Sequence, residues 1–73
     1  MSTERASIEI TVNGEVRLVS RGETITSLLT LLELPPERVA VELDGRIVKQ
    51  PHWSATEIPD GAQLEIVQFV GGG

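Results

Sequence analysis

Two dipeptides constrain this chain more than anything else in it. Asn13-Gly14 separates Ile8-Glu9-Ile10-Thr11-Val12 from Glu15-Val16-Arg17-Leu18-Val19, and Asp44-Gly45 separates Val39-Ala40-Val41-Glu42-Leu43 from Arg46-Ile47-Val48. Most of these runs alternate apolar and polar residues with period two, the pattern of a half-buried strand. A two-residue loop joining such runs needs positive φ at both positions, and Asn-Gly and Asp-Gly reach it at least steric cost. Two hairpins are therefore expected, with Ile8, Ile10 and Val12 inward on the first strand. Val39, Val41 and Leu43 share one face of the third.

Between the hairpins the period changes. Arg21-Gly22-Glu23 breaks the second strand, and Thr24 is placed to cap a helix with its hydroxyl. Ile25, Leu28, Leu29 and Leu32 recur at i, i+3, i+4 and i+7, one apolar helix face. The Thr and Ser content is poor in intrinsic helicity, so packing has to hold this helix. Leu34 precedes Pro35-Pro36, and a residue before proline is pushed out of the α region, so the helix is expected to end near Glu33. After the second hairpin, Pro51 to Glu57 has no clean period and reads as a loop with a helical turn near Trp53. Ile58-Pro59-Asp60-Gly61 reads as a tight turn with proline at its second position. A fifth strand is expected from Gln63 to Val70. Hairpin, helix, hairpin and strand in that order make a two-layer α+β roll, one helix covering a mixed sheet of four or five strands. A central place beside the first strand would supply the last strand with its long-range pairing.

Composition narrows the function. Seventy-three residues make one domain, and the chain has no cysteine, which excludes a disulfide framework, thiolate catalysis and Cys-based metal sites. Eleven acidic against six basic residues give a net charge of −5, spread without a block. Such a surface is unsuited to nucleic acid, which calls for clustered Lys and Arg. Trp53 and Phe69 are the only aromatics, too few for a base-stacking platform. No apolar stretch approaches the ~20 residues that cross a bilayer. Met1 to Ala6 reads as a polar lead-in, not a signal peptide, so a cytoplasmic, membrane-free protein is expected.

The feature left over is Gly71-Gly72-Gly73, set directly after the apolar run Leu64 to Val70. At average glycine usage, three in a row at a given place occur by chance on the order of 1 in 3,000 times. One reading is a flexible linker. The other is a thin tail that presents the carboxylate of Gly73 to a narrow site on another protein. Three extended residues reach about 10 Å. Without Cβ atoms, Gly71 and Gly72 pass a slot that excludes other residues.

In the order of its elements, its length, its acidity and its glycine tail, the chain resembles the ubiquitin-like β-grasp sulfur carriers, and among them the ThiS family of thiamine biosynthesis. The resemblance is carried by Val12-Asn13-Gly14-Glu15, Gly22-Glu23-Thr24-Ile25 with Leu28-Leu29, and Val39-Ala40-Val41-Glu42-Leu43 with Ile47-Val48 and Trp53. It continues through Asp60-Gly61, Leu64-Glu65-Ile66-Val67 and Phe69-Val70-Gly71-Gly72-Gly73. It spans nearly the whole chain after the first six residues. The chain departs from the family in having Lys49-Gln50 where a Pro-Arg pair usually precedes the tryptophan, and Ala62 where a second acid often follows Asp-Gly.

The resemblance implies a β-grasp domain over residues 1–73 with 71–73 as a flexible tail, monomeric when free and not itself an enzyme. It implies that a ThiF-like enzyme adenylates Gly73 with ATP and Mg, and that a sulfur donor such as a cysteine desulfurase supplies sulfur. The thiocarboxylate on Gly73 then delivers it to thiazole synthase. The carrier itself is expected to hold no cofactor and no metal. Carriers of other pathways, such as MoaD-like proteins, and ubiquitin-like protein modifiers share the tail and fold. A β-grasp binding module with a linker tail is a further alternative.

Other residues carry less. His52 has no cysteine or spaced carboxylate partners for a metal site or triad, and reads as a surface residue. Trp53 reads as packing against an edge of the sheet. On the fifth strand, Leu64 and Ile66 share one face and Val67 and Phe69 the other. If the helix covers the first pair, the second pair with Val70 forms an apolar docking patch beside the tail. A bulge that tucks Phe69 back into the core is the competing expectation.

Overall fold

The computed structural model describes residues 7–70. The tail residues Gly71, Gly72 and Gly73 lie outside them. Five strands form one sheet: β1 (Ser7–Val12), β2 (Glu15–Ser20), β3 (Val39–Leu43), β4 (Arg46–Val48) and β5 (Gln63–Gln68). Their order is β2-β1-β5-β3-β4. β5 runs parallel to β1 and antiparallel to β3, so the last strand lies at the centre beside the first.

Both hairpin turns have the expected form. Asn13 and Gly14 have φ of 51° and 83°, and Asp44 and Gly45 repeat those values. Cross-strand partners share a face of the sheet, so these short turns decide which side chains are buried. Ile8 pairs with Val19 and Ile10 with Arg17, while Glu9 pairs with Leu18 and Thr11 with Val16. Hence the alternation of the second run works against burial. Val16 and Leu18 stand exposed on the outer face, and Val19 reaches the core.

Helix α1 (Ile25–Leu31) packs on the inner face. Thr24 caps it: the Ser27 N–H donates to Thr24 Oγ1 at 3.1 Å, and the Thr24 N–H donates to Ser27 Oγ at 2.8 Å. This reciprocal box satisfies two donors that the helix itself leaves free. The helix stops two residues short of the expected end. Glu33 takes φ 59°, its N–H donates to Thr30 O at 3.0 Å, and the Leu34 N–H donates to Leu29 O at 2.9 Å. These two bonds form a Schellman stop, so chain reversal precedes the prolines. The segment after β4 forms a 3-10 turn, Gln50–Ala55, that buries Trp53. Its indole Nε1–H donates to Val48 O at 2.7 Å.

Two further boundaries differ from expectation. Ala62 N–H donates to Pro59 O at 3.1 Å and Gly61 has φ 85°, so the turn is Pro59–Ala62 with proline at its first position. The advantage goes to the glycine, whose positive φ is needed at the third position. β5 ends at Gln68, so Phe69 and Val70 lie beyond the strand.

The core lies between sheet and helix. Ile8, Ile10, Val12, Val41, Leu64 and Ile66 from the strands meet Ile25, Leu28 and Leu29 from α1, with Trp53 and Ile58 closing the ends.

Candidate functional site

The outer face of the sheet has no helix over it among the described residues. β5 crosses its middle and points toward residue 70. Leu64 and Ile66 face α1 and are buried, so Glu65 and Val67 face out. Register then sets their neighbours. Val67 pairs with Ala40, Glu65 pairs with Glu42, and Glu42 pairs with Ile47. These outward side chains surround a shallow depression of about 100 Å³.

Val67 is 59% exposed, Phe69 53% and Val70 90%. The three residues proposed for docking are therefore all accessible at the end of β5. Phe69 is not drawn into the core. Its N–H donates to Arg38 O at 2.7 Å, so its backbone is held against the segment preceding β3. Phe69 lines a broader groove with Pro36, Ile47, Val48 and Trp53.

Ile47, 72% exposed, belongs to the same surface. Sequence periodicity missed it because a three-residue strand is too short to show a face. The Asp44-Gly45 turn holds the signal: it sets Ile47 opposite Glu42, on the face away from Val41 and Leu43. Glu42 and Glu65 are direct cross-strand partners, and neither has an ion-pair partner among the described residues.

His52 is exposed on the Gln50–Ala55 turn, and no three His, Asp or Glu side chains gather as a metal site among the described residues. Among the described residues, no helix is long and apolar enough to cross a membrane.

A mixed five-stranded sheet gripping one helix, with the final strand central and leading into a glycine run, defines a β-grasp protein of the ubiquitin-like class. The ThiS family model matches residues 8–73, and the chain belongs to that family. It is similar to the crystal structure of the thiamine biosynthesis protein ThiS from Geobacter metallireducens, with 35% identity, 90% of this chain and 100% of that one covered, and a TM-score of 0.79. A thiazole synthase of Paramagnetospirillum magneticum is 38% identical over 66 residues, 90% of this chain. The chain spans only 20% of the length of that synthase. The ycf40 protein of Pyropia yezoensis is 35% identical over 68 residues, 93% of this chain and 96% of its own length.

Proposed function

We propose that this chain is a sulfur carrier for thiazole formation in thiamine biosynthesis, with Gly73 as the residue that bears the sulfur. The observation that carries the reading is the extent of the family match, which runs through residue 73 and so takes in the glycines that β5 leads into. The shared segment with thiazole synthases supports that enzyme as the acceptor, since a similar sequence occurs within the same chain there.

The chemistry follows from the tail. A terminal carboxylate has a pKa of about 3.3–3.7, so it is ionised at neutral pH and a poor electrophile. In the proposed sequence, a Gly73 carboxylate oxygen attacks the α-phosphorus of ATP on a ThiF-like, Mg-dependent enzyme, and pyrophosphate leaves. A persulfide sulfur, supplied by a donor such as a cysteine desulfurase, attacks the acyl carbon and AMP leaves; a thiol then reduces the S–S bond of the acyl disulfide, releasing the thiocarboxylate and forming a disulfide with the donor sulfur. The resulting thiocarboxylate transfers sulfur to thiazole synthase. The carrier supplies reach and a docking surface of Val67, Phe69 and Val70, and its partners supply the catalytic groups.

The test is intact-mass measurement after incubation with the ThiF-like enzyme, Mg-ATP and a sulfur donor. The expected product is heavier by the difference between sulfur and oxygen, and deletion of Gly73 abolishes it while the domain stays folded. An unchanged mass, or activation that survives loss of Gly73, overturns the reading. Adducts on lysines would assign the chain to protein modification instead.

A further inference from the structure

β5 is flanked on both sides for only part of its length. Hydrogen bonding along an antiparallel strand alternates, one residue turning its N–H and C=O to one neighbour and the next residue to the other. On β5 the alternation is read from three places. Gln63 turns toward β3, its carbonyl accepting from the Asp44 N–H at 2.7 Å and its N–H donating to Asp44 Oδ1 at 2.9 Å. Phe69 turns the same way, toward Arg38 O. Leu64 and Ile66 turn the other way: the Leu64 carbonyl accepts from the Asn13 N–H at 2.9 Å, and Ile66 is bonded by the Asn13 side chain through both its N–H and its C=O.

Gln68 falls on the same side as Ile66. There β1 has already ended at Val12, and the Asn13-Gly14 turn carries the chain away into β2. Gln68 lies opposite Val39 of β3 as a non-hydrogen-bonded pair, so its N–H and C=O face the β1 side, where no described residue is paired with it, and Gln68 is exposed. A strand edge of this kind, with donor and acceptor aligned and no partner, is a template for a further strand. It occurs at one place on β5, just past the Asn13 side chain and just before the tail.

We infer that the Gln68 edge pairs through main-chain hydrogen bonds with an extended segment of the enzyme that takes up the glycine tail. The inference rests on the carrier reading and adds how the tail is aligned. The occupant is an extended polypeptide because the unmet groups are one peptide N–H and one peptide C=O at strand spacing. Asn13 sets where that segment stops, since its side chain already fills the pairing position at Ile66. Pairing at Gln68 would hold the chain extended just ahead of residues 69–73.

Proline tests this directly, because it removes an N–H without touching the β3 side of the strand. Binding of the ThiF-like enzyme is measured for Gln68→Pro and Gln68→Ala. The expected result is a loss of about tenfold for Gln68→Pro, as for one interfacial hydrogen bond, with Gln68→Ala near wild type. Equal affinities for the two variants overturn the inference. Amide hydrogen exchange on the unmutated chain gives an independent reading should the proline variant unfold. The Gln68 amide should exchange fast when free and slowly in the complex, while the Phe69 amide is protected in both. A Gln68 amide equally fast in the complex overturns the inference, as does protection that rises with the concentration of the chain alone, which would assign the edge to self-pairing. If the enzyme binds and exchange at Gln68 is unmoved, only the edge fails. If the enzyme neither binds nor activates the chain, the carrier reading fails and this inference with it.

Discussion

The side chain of Asn13 extends the β1–β5 ladder past the end of β1: Oδ1 accepts from the Ile66 N–H at 2.7 Å, and Nδ2–H donates to the Ile66 C=O at 3.0 Å. One residue thus forms the β1–β2 turn and clamps the centre of the sheet. Asp44 does part of the same work from the other side, accepting from the Gln63 N–H at 2.9 Å. The two turn residues hold the central strand between the two hairpins.

Asn13→Gly separates these roles, because glycine keeps the positive φ but loses both side-chain bonds. The expected cost is about 1–2 kcal/mol, two hydrogen bonds at their usual net worth. In a domain of this size that lowers Tm by roughly 4–8 °C per kcal/mol. Asn13→Asp keeps the acceptor for Ile66 N–H and sets a carboxylate oxygen against the Ile66 carbonyl, so it should be no better than the glycine variant. Urea and thermal denaturation check both. A glycine variant as stable as the parent would reduce Asn13 to a turn residue.

Glu33 is the opposite case, a residue whose type disagrees with its backbone. It holds φ 59° at the helix stop, where glycine is usual and a Cβ is strained. Glu33→Gly relieves that strain but enlarges the freedom of the unfolded chain. The expected net gain is about 0.5–1 kcal/mol, with a smaller gain for Glu33→Asn. Tm measurements read it out. Activation by the adenylating enzyme should not change, since residue 33 lies on the helix side of the sheet.

These two residues also mark how far the sequence can be read. The hairpins are legible because Asn-Gly and Asp-Gly leave the backbone little choice. The helix is legible because Ile25, Leu28, Leu29 and Leu32 hold one face. Its end is not legible, because nothing about Glu33 announces a left-handed residue and Pro35-Pro36 offers a more visible stop. The inner face of β2 is hidden for a different reason. Burial there follows from register with β1, so Val19 is core and Leu18 is surface although both are apolar. Of the outer surface, Val67, Phe69 and Val70 can be found by following β5, whereas Ile47 and Glu42 join them only through pairing across β3 and β4.

Glu42 and Glu65 are direct cross-strand partners of like charge. Such pairs are unfavourable, and neither carboxylate has an ion-pair partner among the described residues. Glu65→Thr should raise stability by about 0.2–1 kcal/mol. The gain should shrink at high salt, where the parent's repulsion is screened. Denaturation at low and high ionic strength tests both statements. A variant that loses stability at low salt would show that the carboxylates are held by something other than their own repulsion.

The two faces of β5 predict opposite consequences for neighbouring substitutions. Leu64 is 1% exposed under α1, so Leu64→Ala removes buried methyl groups and leaves a cavity. The expected loss is about 2–4 kcal/mol, a large share of what so small a domain has. Phe69 stands half in solvent beyond the end of the strand, and its backbone bond to Arg38 survives truncation of the ring. Phe69→Ala should therefore cost under ~1 kcal/mol of stability. Its effect should fall on partner binding: an aromatic anchor beside the end proposed to bear the sulfur is expected to be worth about 1–2 kcal/mol, roughly tenfold in kcat/KM for activation by the proposed adenylating enzyme. Val67→Ala should move in the same direction by less, because it deletes less apolar surface. Measuring Tm and activation together separates the faces. If Phe69→Ala lowers Tm as much as Leu64→Ala and leaves activation intact, the end of β5 is structural and the docking surface lies elsewhere on the sheet.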